Sequence, residues 1–148
     1  RSWCASSPRA RARPSGKYAM STTHHTLGSI AVPRGMVWVD EFDWVPVERA
    51  VAYSLTGALL VDVAPRLAGR PITLAGEVDA GWLGRGVVAQ LYALAGSTSA
   101  THTLTLADGR AFTVMFAPDS PFEAKPVGRP ELPTATNPYY ATLRLIEV

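Results

Sequence analysis

The chain has a single cysteine, Cys4, so it can form no internal disulfide and no metal site built from several cysteines. No apolar run approaches the ~20 residues that span a bilayer, and the first residues lack the basic-then-apolar layout of a secretory signal. The pattern predicts a soluble protein made inside a cell. Catalytic signatures are missing as well: there is no His-Glu-x-x-His and no Gly-x-Ser-x-Gly, and no internal repeat.

Carboxylates are absent from the start of the chain. Arg1, Arg9, Arg11, Arg13 and Lys17 precede Met20 without one acid, leaving nine basic against twelve acidic residues for the rest of a 148-residue chain of net charge +2. With Trp3 and Tyr18 as its only aromatics, residues 1–19 read as a disordered basic leader, dispensable for folding, rather than as a nucleic-acid-binding arm. Met20-Ser21-Thr22-Thr23 has the character of a natural start, the leader then being read-through from an upstream start.

What the chain does have is β-pattern. Thr101 to Phe116 holds two strand-like runs around Asp108-Gly109, a dipeptide whose tolerance of positive φ suits a tight primed turn. Leu104 and Leu106 share one face of the first run, and Phe112, Val114 and Phe116 one face of the second. Residues 20–35, with His24-His25, Gly28, Pro33 and Gly35, read as an extended, solvated arm. Met36 to Val45 reads as a strand placing Trp38, Asp40, Phe42 and Trp44 on one period-2 face.

Val47 to Val63 alternates, with Val51, Tyr53 and Leu55 before Thr56-Gly57 and Leu59, Val61 and Val63 after it, and the alternation is interrupted at that dipeptide. A bulged or bent long strand is the first expectation and a tight hairpin the second. Ile72-Thr73-Leu74 is a further short strand. The one helix is expected over 79–95, capped by Asp79, with Leu83, Val87, Leu91 and Leu94 as its stripe and Gly96 as its stop. It should dock on the face bearing Leu104, Leu106, Phe112 and Val114. Six prolines make 118–138 a long surface loop around a short edge segment at Phe122–Val127, and Tyr139 to Val148 closes the chain as a docked strand.

The order predicts an α+β domain over 36–148: a mainly antiparallel β-barrel or split β-sandwich with one helix packed on it. No catalytic, cofactor-binding or metal-binding residue is assigned. Gly76, Gly81, Gly84 and Gly86 lie between a strand and a helix, yet no Lys-Ser/Thr pair follows and Glu77 and Asp79 put negative charge where a phosphate would sit. Asp40, Glu41 and Asp43 alternate sides on a strand, so they fail to converge on a cation. His102, alone among strand threonines, reads as an ordinary exposed residue.

At Gly69-Arg70-Pro71-Ile72-Thr73-Leu74, at Trp82 with Val87 to Ala95, at Thr101 to Val114 and at Asn137 to Val148, the chain resembles small tail proteins of long-tailed bacteriophages and prophages. The resemblance implies a non-enzymatic structural subunit of the tail tip or baseplate, with a β-barrel plus helix as in tail-tube and distal-tail proteins. It further implies copies arranged as a ring around the tail axis, a hexamer favoured and a trimer next, against neighbouring tail-tube and tail-tip proteins. The expected place is the virion after synthesis in the bacterial cytoplasm, with no nucleic acid bound. A head-to-tail connector or tail-completion protein is the alternative within virions. A carbohydrate-binding β-domain is the alternative outside them, and it requires Trp38, Trp44 or Tyr140 exposed on a groove.

Overall fold

The C-terminal strand organises the domain. In a computed structural model, which describes residues 24–99 and 101–148, Pro138–Glu147 forms one long strand whose Ala141, Leu143 and Leu145 are buried at alternate positions. Expectations for residues 1–23 lie outside the described residues.

In chain order the strands are β1 (His24–Leu27), β2 (Ile30–Pro33), β3 (Val37–Trp38), β4 (Val47–Tyr53), β5 (Leu59–Pro65), β6 (Pro71–Ala75) and β7 (Leu83–Gly84). After helix α1 (Arg85–Ala95) come β8 (His102–Thr105), β9 (Ala111–Phe116), β10 (Phe122–Pro126) and β11 (Pro138–Glu147). One edge of β11 takes β6 at residues 142–146 and β7 at 138–139. The other takes β9 at 145–147 and β10 at 139–143.

Each edge carries one excursion. The Ala117 N–H donates to the Arg144 carbonyl and the Arg144 N–H to the Pro121 carbonyl, both at 2.9 Å, so 118–120 loop out of the ladder. Opposite, Gly76 donates to Ala141 at 2.8 Å and residues 77–80 form a small turn closed between Glu77 and Ala80.

The sheet runs β2-β1-β8-β9-β11-β6-β3, antiparallel throughout. The class is α+β, as the pattern predicts, but the sheet does not close into a barrel: β2 and β3 end it without pairing to each other. Helix α1 lies against β2, β7, β10 and β11. Leu91 is fully buried beside Leu104, Val114 and Leu143 in one core cluster, with Val87, Val88 and Leu94 packed onto it. The strands nearest the helix are therefore those four rather than the 104–114 hairpin alone.

Several local expectations are corrected. The helix starts at Arg85, with Gly84 as its N-cap and no side-chain cap, because Leu83 and Gly84 are taken by β11. The first helical N–H groups, of Arg85 and Gly86, donate to the Asn137 and Ala135 carbonyls at 3.0 Å, so the proline-rich loop does the work assigned to Asp79. Gly96 ends the helix as expected. The arm of 20–35 is, from His24 on, a hairpin paired with β8, its Leu27 and Val32 fully buried.

The turn at Asp108-Gly109 is not a primed two-residue turn. Only Gly109 has positive φ (95°), and the Gly109 N–H bonds back to Leu106 at 2.9 Å, giving a three-residue loop with a glycine bulge. The strand expected over 36–45 stops at Trp38. Asp40 accepts from both the Thr73 N–H and the Thr73 hydroxyl at 2.8 Å, and Asp43 N–H folds back on the Asp40 carbonyl, so side-chain bonds replace the ladder.

Candidate functional site

Residues 47–65 form a two-stranded hairpin separate from the main sheet, which corrects the expectation of one bent strand. The reason is local. Gly57, at φ 82°, lets its N–H return to the Ser54 carbonyl at 2.9 Å, while Ser54 Oγ accepts the Ala58 N–H at 3.0 Å. That closes a three-residue loop and brings Val51 opposite Val61 and Tyr53 opposite Leu59. At the base, the Arg66 guanidinium pairs with Glu48 and the Arg66 N–H donates to Pro46 at 3.0 Å.

Register puts Val47, Val51, Tyr53, Leu59, Val61 and Val63 on one face with Arg49. The other face carries Ala50, Ala52, Leu60, Ala64 and the acids Glu48 and Asp62. Every residue of β4 and β5 is exposed except the half-buried Val47; Tyr53 is 75% exposed and Leu55, at the tip, fully so. An isolated hairpin is marginal in water, and here each strand has one partner and neither face is covered by the described residues. An apolar ribbon of this size standing free of its own core marks an interaction surface.

A second feature lies on the folded body. Helix α1 and β10 bound an open groove of about 520 Å³ lined by Arg85, Val88, Ala89, Tyr92, Phe122 and Ala124, among others. Tyr92 is 71% exposed and tilts toward Phe122, ring centroids 6.5 Å apart.

The residues with the most chemical character meet elsewhere, around Trp38. This indole is 8% exposed, edge-on to Phe112 at 5.6 Å, with the Arg70 guanidinium 4.5 Å and that of Arg110 5.3 Å from its ring centre. Arg110 in turn pairs with Glu41 and Asp108, both at 2.6 Å, and Arg70 donates to the Glu41 carbonyl at 2.9 Å. The Arg110 backbone N–H, ahead of its side chain, holds Asp108 below the usual carboxylate range. These charges satisfy one another, so the cluster locks the 39–43 turn to the 106–111 turn and leaves no free base or nucleophile. Trp38 Nε1 and Arg70 Nε are buried there without hydrogen-bond partners.

The remaining polar candidates also have structural roles. His25 is half-buried, and its Nδ1 accepts the Ala107 N–H at 2.9 Å, so this histidine is a latch between β1 and the 106–111 turn rather than part of a solvated arm. Burial holds its pKa below the ordinary 6.5. His102 is half-buried, edge-on to Phe116 at 5.6 Å, with Nε2 enclosed and unpartnered. Asp40 is committed to Thr73 and Glu41 to Arg110. Among the described residues no three His, Cys, Asp or Glu side chains converge as metal ligands. The glycine-rich turn is explained by packing: a Cβ on Gly76 or Gly81 would meet backbone at 2.9 or 2.8 Å, and one on Gly84 the Ala135 carbonyl at 3.2 Å.

Three comparisons bear on identity. No protein-family model matches the chain, and neither does any curated protein or solved structure. What it does therefore has to be argued from the hairpin, the groove and the residues themselves. No helix among the described residues is long and apolar enough to cross a membrane.

The solvated arm expected over 20–35, from His24 on, and the surface loop expected over 118–138 are largely absorbed by the domain's own sheet and helix. The segment that stands free is 47–65. Its signal was available: apolar alternation on both sides of Thr56-Gly57 with no acid or lysine on the Val51–Val61 face. Alternation alone, however, is the same for a strand inside a core.

Proposed function

We propose that the protein is a non-enzymatic structural subunit that assembles with copies of itself through the β4–β5 hairpin. The single observation that carries this reading is an apolar two-stranded ribbon that, among the described residues, is held only at its base. Within that reading, the resemblance of the 69–74, 101–114 and 137–148 segments favours a ring at the tail tip or baseplate of a long-tailed bacteriophage, six copies first and three next. A head-to-tail connector uses the same kind of contact at another place in the particle. For the carbohydrate-binding alternative Trp38 is excluded, since it lies beneath Arg70 and Arg110 and offers no ring face to a sugar, which leaves that reading the half-buried Trp44 and Tyr140.

The test is the mass and shape of the purified species by light scattering and negative-stain imaging. A ring is expected for the wild type. Val51→Asp combined with Leu60→Asp, one on each face of the ribbon, should give a folded monomer, because both side chains are exposed and outside the core. A wild-type chain that stays monomeric at every concentration, or one that binds an oligosaccharide as a monomer, overturns the reading.

A further inference from the structure

We propose that the β4–β5 hairpin of one copy seats in the α1–β10 groove of a second copy. The inference rests on the assembly reading and adds its receptor. Both surfaces are apolar and neither is covered by the described residues, so the contact joins two different patches on two copies. Of the other described hollows on the body, the one beside Trp38 is about 250 Å³ and rimmed by Arg34, Glu41, Asp108 and Arg110, and the one at Glu123, Lys125, Tyr140 and Thr142 is about 130 Å³, which suits both poorly to valine and leucine side chains.

Charge marks which face of the hairpin docks: Asp62 shares its face with Ala50, Ala52 and Leu60, opposite the face of Val51 and Arg49, and Arg85 rims the groove. Glu41 pairs with Arg110, Glu48 with Arg66 and Glu123 with Lys125, all within the chain. Arg85 at the groove and Asp62 on the hairpin make no ion pair among the described residues, although each sits beside an apolar surface that would exclude water on contact. An Asp62–Arg85 pair across the interface satisfies both. Docking is through side chains rather than strand addition, because Lys125 and Pro126 blunt the outer edge of β10. A patch-to-different-patch contact propagates from copy to copy until it closes as a ring or runs on as a filament.

The experiment uses the full chain and sedimentation. Leu60→Asp disables the hairpin on the face that carries Asp62, and Ala89→Arg fills the groove at an exposed helical position where arginine is a good helix former. Both variants should keep the wild-type thermal transition and weaken association at least about tenfold. Mixed together they should form only a 1:1 dimer, one intact hairpin meeting one intact groove. Arg85→Glu should weaken assembly, and adding Asp62→Arg in the same chain should restore it. If the wild type assembles while the Ala89→Arg variant assembles equally well, or the mixture stays monomeric, or the charge swap fails to restore assembly, the groove is not the receptor and the assembly reading survives. A wild type that never associates overturns both.

Discussion

Gly35 and Gly81 meet backbone to backbone: a Cβ on Gly35 would lie 2.7 Å from the Gly81 nitrogen, and one on Gly81 would lie 2.8 Å from the Gly35 carbonyl. This contact seats the turn before β3 against the excursion between β6 and β7. Neither partner is a flexible side chain, so neither can swing away.

Gly81→Ala should therefore be the most damaging of the glycine substitutions, since it adds that clash to a φ of 74°. Overpacking and left-handed strain together set a loss of about 2–5 kcal/mol. Gly28→Ala, at φ 60° with open space around it, should lose only about 1–2 kcal/mol. Urea midpoints of the two variants check the ranking, and equal losses would remove the steric argument.

Leu91 is the one fully buried residue of α1. Leu91→Ala should cost about 2–5 kcal/mol in chemical unfolding, the range for a leucine truncated inside a packed core. A change of a few tenths would mean that the helix contributes little to the core.

His25 makes stability pH-dependent with a definite sign. Its folded pKa lies below the ordinary 6.5 because it is partly buried, so the unfolded chain takes up the proton first. Its contribution is fully present above pH 6.5 and is lost as the pH falls through the depressed folded value. Protonation also removes the Nδ1 lone pair that receives the Ala107 N–H. His25→Gln should flatten the fall in melting temperature as the pH drops below 6.5. An unchanged slope would show that another group sets it.

Local pattern was sufficient for much of the domain. The alternation of 102–116 and 138–147, the Val87, Leu91, Leu94 stripe and the Gly96 stop are all readable residue by residue, because a strand or helix with one buried side writes its period into the sequence. Tertiary structure decided the rest. Whether Met36 to Val45 stays a strand depends on Asp40 finding Thr73, 33 residues away, and where α1 begins depends on carbonyls of Ala135 and Asn137. The hairpin of 47–65 is the sharpest case, and the candidate site depends on it. Alternation reports that a face is apolar, but only the packing of the whole chain decides whether anything in that chain covers it, and here nothing described does.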